Sequence, residues 1–177
     1  MLKLIISRIR KPLFSALLSF CLILLLFSTV FAGRRVTSSS MEPTIKKGSA
    51  VLINRLAYKK RPVRRGDAIL FKEDGLDVVK RVIALPGEKV RFQDGFVIIS
   101  DRIYVEEYLS ELTETNSNET FEVPKGTYFV LGDNRENSYD SRFMKEPYVK
   151  KKQIIGKVIA AFGKGSTGSI PSVETTE

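Results

Sequence analysis

The stretch Asp77-Val78-Val79-Lys80-Arg81-Val82-Ile83-Ala84-Leu85-Pro86-Gly87 decides the fold class. Its β-branched residues read as a strand closed by a Pro-Gly turn, and strict alternation places Val78, Lys80 and Val82 on one face. The rest of the chain beyond residue 33 has the same short, β-branched character. Strands are expected at about 50–54, 67–72, 77–85, 89–93, 96–100, 102–105, 120–123, 127–131 and 155–162. Asp94-Gly95 marks a hairpin, and Lys125-Gly126 ends another strand. The fold class is therefore mainly β, a barrel or coiled antiparallel sheets, with about 90–125 forming a smaller inserted β subdomain. The polar tract 110–120 reads as a loop, and 163–177 as a flexible tail.

Upstream, residues 13–32 carry no charge. As a helix rising ~1.5 Å per residue they would reach ~30 Å, the thickness of a bilayer's hydrocarbon core. Lys3, Arg8, Arg10 and Lys11 precede this run, so the positive-inside tendency puts residues 1–12 in the cytoplasm and 33–162 on the far side. The expectation is a single-pass anchor in the plasma membrane. The rival is a cleavable secretory signal, with Val30-Phe31-Ala32 offering small residues at the two positions that a cleavage site needs.

Composition narrows the chemistry. The 177 residues include no histidine, which removes Ser-His-Asp and Cys-His mechanisms and His-ligated metals. The single cysteine, Cys21, lies inside the apolar run, leaving no internal disulfide or thiolate cluster. No metal or cofactor is expected. The net charge of +9 suits an anionic membrane surface better than nucleic acid, because no helix-turn-helix, zinc-finger or stacking-aromatic pattern accompanies it.

Three segments can carry chemistry. Ser38-Ser39-Ser40-Met41-Glu42-Pro43-Thr44 follows the apolar run and reads either as a linker or as a nucleophile that requires a base. Lys80 is either an edge-strand lysine snorkelling to water or a buried amine. As a base near neutral pH it must fall from ~10.4 to ~8, about 3 kcal/mol of differential desolvation. Gly132-Asp133-Asn134-Arg135-Glu136-Asn137-Ser138-Tyr139-Asp140-Ser141-Arg142 is either a solvated turn or a site loop, offering a hydroxyl to orient the amine and an Asp-Arg pair as a brace.

In order, these segments resemble the boxes of the type I signal peptidases: Ser-x-Ser-Met-x-Pro-Thr, Lys-Arg-Val-x-x-Leu-Pro-Gly and Gly-Asp-Asn-Arg-x-x-Ser-x-Asp-Ser-Arg. Gly66-Asp67-Ala68-Ile69-Leu70-Phe71 resembles an intervening box, so the likeness runs from Ser38 to about Phe162. The resemblance implies Ser40 as nucleophile, Lys80 as general base and Ser38 as an oxyanion donor beside the Ser40 N–H. It also implies that Met41 lines the site, Ser138 orients the Lys80 amine, and Asp140 and Arg142 form the loop's ion pair. The implied activity is removal of signal peptides from exported preproteins after Ala-x-Ala endings, through an acyl-enzyme, by a monomer. Thr37, Ser39 and the stretch 143–146 depart from the family's usual proline and glycines. The absence of histidine excludes the Ser-His branch of the endoplasmic-reticulum enzymes.

Two other readings stand beside this one. A self-cleaving Ser-Lys repressor needs a DNA-binding module that an anchor cannot supply. An inactive tethered protein would instead rest its basic stretch (Arg55, Lys59, Lys60, Arg61, Arg64, Arg65) on anionic lipid.

Overall fold

In the computed structural model, residues 2–106, 108–109, 117, 119–163 and 165–170 are described. The apolar run forms helix α1 (Leu2–Val30), whose stretch Leu13–Val30 is long and apolar enough to cross a membrane, with none of it buried in the fold. The helix stops two residues short of the expected boundary. Phe31 and Ala32 instead open strand β1 (Phe31–Arg35), which pairs antiparallel with β2 (Ala50–Asn54). Gly33, Arg34 and Arg35 gave β1 no apolar alternation, and its hydrogen bonds to β2 supply what pattern could not.

The central strands follow as β3 (Ala68–Glu73) and β4 (Leu76–Ala84). A small antiparallel sheet is made by β5 (Lys89–Gln93), β6 (Phe96–Ile99), β7 (Arg102–Tyr104) and β8 (Phe121–Glu122). The chain returns through β9 (Thr127–Leu131), β10 (Tyr148–Lys150), β11 (Ile154–Gly163) and β12 (Ser166–Ser169). In the large sheet the order is β1-β2-β11-β3-β4-β9-β10, with β12 on β11. Asp94 and Gly95 both adopt positive φ, 52° and 82°, which the primed turn between β5 and β6 demands.

One expectation changes here. The Gly/Ser/Thr-rich stretch read as tail contributes β12, which pairs with 160–163 of β11. Strands of this composition are invisible to hydrophobic pattern, since their stabilisation is backbone pairing on an existing edge. Residues 171–177 and most of the polar tract 110–120 lie outside the described residues.

From Lys80 to Ala84 strand β4 is buried on both faces, as is the whole of β9. Ile83, Ala84, Phe129 and Leu131 pack against Val90, Val97, Ile99 and Phe121 of the small sheet. On the opposite side Val82 and Val130 join Ile69, Phe71, Val63 and Val149. Burial on both faces explains why the sequence there is a nearly continuous apolar run. It also puts adjacent basic residues in the interior, because Lys80 is 3% exposed and Arg81 0%.

Arg81 is neutralised where it lies. Its Nε and Nη2 donate to the two oxygens of Asp133 at 2.8 and 2.6 Å, its Nη1 donates to the Gly66 carbonyl at 2.9 Å, and its guanidinium lies 3.9 Å from the centre of the Tyr108 ring. A buried, bidentate pair of this kind is expensive to break from one side. Arg81→Met should lower unfolding free energy by about 3–5 kcal/mol, since it strands the Asp133 carboxylate, whereas Arg81→Met with Asp133→Leu should be less destabilising than the single change. Denaturant unfolding of the full chain in detergent reads both, and equal losses in the two variants would contradict the arrangement.

Candidate active site

Arg81 and Lys80 are neighbours on one strand, so their side chains leave β4 on opposite faces. Lys80 is paired with Ile69 of β3, and on the other side Arg81 is paired with Leu131 of β9. Continuing that register places Gly132 opposite Lys80. A Cβ at Gly132 would lie 2.2 Å from Ser138 Oγ and 2.4 Å from the Ser40 carbonyl oxygen. Only glycine lets the loop serine and the Ser40 backbone converge beside the lysine.

Ser138 Oγ accepts a hydrogen bond from the Lys80 amine at 2.9 Å. Ser40 and Ser138 are each 7% exposed. Burial pushes the Lys80 amine down to about 8, with Asp140 pulling it back up and the Arg142 guanidinium adding to the depression. A neutral amine is thus available close to physiological pH, and the lysine is not a snorkelling edge residue.

The segment around Ser40 is held by a turn in which the Glu42 N–H donates to the Ser39 carbonyl and the Ile45 N–H to the Met41 carbonyl. Ile45 and Met41, 0% and 1% exposed, anchor that turn in the core beside Val51 and Leu70. The Ser40 carbonyl accepts from the Asn134 N–H at 3.0 Å, joining the turn to the 132–142 loop. Ser38 Oγ lies 3.2 Å from Ser40 Oγ. Among the described residues no hydrogen bond links Ser40 to Lys80: each is held by another serine.

The loop 132–142 is no solvated turn. Asp133, Arg135, Ser138, Asp140 and Ser141 are buried. Their polar groups are satisfied within the fold, as buried groups must be. Asp140 takes Arg142 Nε at 2.9 Å and Nη2 at 3.0 Å, and its Oδ2 also accepts the Gly132 N–H. Arg142 Nη2 donates onward to the Arg135 carbonyl at 2.7 Å. Arg135 pairs with Glu106 and donates to the Gly132 carbonyl. Val130 and Ser141 close the base, the Val130 N–H donating to Ser141 Oγ and the Ser141 N–H to the Val130 carbonyl. The Arg81–Asp133 and Arg135–Glu106 pairs went unnoticed in the sequence, although an Arg beside the candidate base and an Asp beside Gly132 were there to be matched.

Ser40 and Lys80 open onto one cleft of about 500 Å³. Along one wall run 34–38, which continue β1 towards Ser40, and along the other run 76–80 of β4. The β9 pairing covers β4 only at Arg81, Val82 and Ala84, so among the described residues the backbone edge of 76–80 on that side carries no partner strand. Met41, Val51, Leu70 and Val79 line the floor. The cleft therefore combines a free strand edge, an apolar floor, a hydroxyl and a depressed amine.

The chain is similar to proteins already known. A family model described as signal peptidase, peptidase S26, matches residues 9–162. Signal peptidase I of Bacillus caldolyticus is 36% identical over 163 residues, covering 84% of this chain and 87% of that one. Signal peptidase I V of Bacillus subtilis (strain 168) is 32% identical over 145 residues, covering 74% and 85%. A crystal structure of a signal peptidase I from Enterococcus faecalis V583 is 33% identical, with a TM-score of 0.49, and covers 55% of this chain and 97% of that one. With a serine and a depressed lysine amine opening on one cleft, and a family match that runs through every segment lining it, the chain belongs to the signal peptidase family, peptidase S26, and is a serine peptidase.

Proposed function

We propose that this peptidase removes N-terminal signal peptides from exported preproteins by a Ser40–Lys80 dyad, from a domain that α1 anchors to the outer face of the plasma membrane. The observation that carries this reading is the Lys80 amine, buried and held by Ser138 in the same cleft as Ser40.

An extended substrate adds as a strand to the free edge of 76–80, where backbone hydrogen bonds hold it whatever its side chains. Alternate side chains then face the floor, which Met41 and Val79 leave shallow, so small residues one and three positions before the scissile bond fit and large ones do not. Ser40 Oγ leaves Ser38, gives its proton to Lys80 Nζ and attacks the carbonyl carbon. The Ser40 N–H and the freed Ser38 hydroxyl donate to the oxyanion. Collapse expels the new amino terminus with the proton from Lys80, and water, deprotonated by Lys80, releases the acyl group. Ser138 keeps the amine aimed, and the Asp140–Arg142 pair keeps Ser138 in place.

Ser40→Ala should lower kcat on a preprotein by about 10⁴-fold or more. Lys80→Ala should lower it by about 10²–10⁴-fold. Purified full-length variants assayed side by side decide this, and retained cleavage in either would sink the dyad.

The base must be neutral to act, so kcat/KM should rise with pH and level off above about 8. A limb still climbing near the 10.5 of an ordinary lysine would mean that a different group takes the proton.

The same burial weakens the fold. A lysine whose amine sits at about 8 when folded and 10.5 when unfolded disfavours folding by about 3 kcal/mol at every pH below 8. That penalty fades between pH 8 and 10.5, so the unfolding free energy should climb across this window. Lys80→Met, with no charge to desolvate, should be more stable than the parent at pH 7 and lack the climb. Denaturant titrations at pH 7 and 10 compare the two, and a less stable Lys80→Met at pH 7 would refute the assignment.

A further inference from the structure

The segment 55–65 takes no part in the cleft. Arg55, Lys59, Lys60, Arg61 and Arg64 project from it into solvent. Between Glu42 and Asp67 the chain has no acidic residue. Among the described residues, none of these five side chains enters an ion pair. Arg65, by contrast, is committed to Glu88 at 2.6 Å and to the Ile83 carbonyl. Five like charges in ten residues repel one another.

The sheet dictates where this charge sits. Strand β2 runs antiparallel to β1 with Asn54 opposite Phe31, so the chain leaving β2 arrives where α1 ends. The Arg55 N–H donates to the Val30 carbonyl at 2.9 Å, which ties the first residue of the segment to the last residue of the helix. The base of the turn is braced as well. The Tyr58 hydroxyl and the Arg64 N–H both donate to Asp67 Oδ2 at 3.0 Å. Asp67 Oδ1 takes Lys157 at 2.5 Å, so that carboxylate is spent on a cation outside the segment. Leu56, 37% exposed, adds an apolar side chain beside Arg55.

We propose that the turn 55–65 docks on anionic phospholipid headgroups of the bilayer that α1 enters, and so sets the height and tilt of the peptide cleft over the membrane surface. The proposal rests on the reading of α1 as an anchor. A helix of that length ends at the headgroup layer, and a segment bonded to its last carbonyl lies in that layer with it. Basic side chains there gain roughly five-fold in surface affinity each.

The test is hydrogen–deuterium exchange on the full chain in nanodiscs of phosphatidylcholine, with and without phosphatidylglycerol. Phosphatidylglycerol should slow backbone exchange across 55–65 by about five-fold or more, an effect that high salt removes. The variant Lys59→Gln, Lys60→Gln, Arg61→Gln should lose this protection while still cleaving a soluble peptide substrate in detergent, which shows that it is folded. Equal exchange in both kinds of disc would overturn the proposal, as would a variant that still distinguishes them. Inorganic phosphate added to phosphatidylcholine discs tests a free-anion site, and protection by phosphate alone would overturn the lipid assignment. Alkaline extraction of native membranes tests the anchor separately, and a Ser40→Ala chain should show the same protection, so failure here is distinguishable from failure of the proposed peptidase mechanism.

Discussion

The ion pair between Arg81 and Asp133 is the constraint on which the site depends. It sits where four stretches of chain meet, since the guanidinium also holds the Gly66 carbonyl and reaches Thr44 Oγ1 at 3.5 Å. Thr44 belongs to the turn that follows Ser40, and Asp133 opens the loop that carries Ser138. One buried cation thus ties the turn of Ser40 to the loop of Ser138, through the strand that bears Lys80. Two charges taken out of water gain little net stability over apolar packing. What this geometry contributes is position, and a planar guanidinium gripping two oxygens tolerates less rotation than an ammonium would.

Position matters here because the chemistry lacks an imidazole. A histidine titrates near neutral pH without help, whereas an amine must be desolvated to do so. Burial of Lys80 on a strand covered from both sides supplies that desolvation, and the hydroxyl of Ser138 gives the amine a partner without restoring a charge that would undo it. The carboxylate of Asp140, close enough to oppose the depression, is committed to Arg142 and the Gly132 N–H. Loop and base are therefore one electrostatic unit.

Much of this was legible in the chain. Strands 50–54, 89–93 and 127–131 were placed at their observed bounds because β-branched and aromatic runs there end at clear turn residues. The strands that went unread, β1, β10 and β12, are short or polar and are held by backbone pairing with a neighbouring strand, with no apolar pattern of their own. Alternation placed Lys80 on one face, but said nothing of the second face, because the burial of Arg81 depends on a carboxylate 52 residues away. The loop 132–142 looked solvated by composition. The side chains of Asp133, Arg135, Asp140 and Arg142 are buried because each meets an opposite charge from its own or another segment, a fact that pairing in space decides and linear spacing does not.

The alternation of Lys80 and Arg81 also bears on how this family of sequences can change. A deletion of one residue between Asp74-Gly75 and Val79 would slide β4 by one place and exchange the two cations between faces. The fold would then present a guanidinium to Ser138, while Val82 would take the place of Arg81 and leave Asp133 facing an aliphatic side chain. Such a chain could assemble only with a buried carboxylate left unpaired, at a cost of about 3–5 kcal/mol. A guanidinium does not give up its proton in any ordinary protein setting. The neighbouring cations thus tie both the stability of the fold and the chemistry of the cleft to strand register.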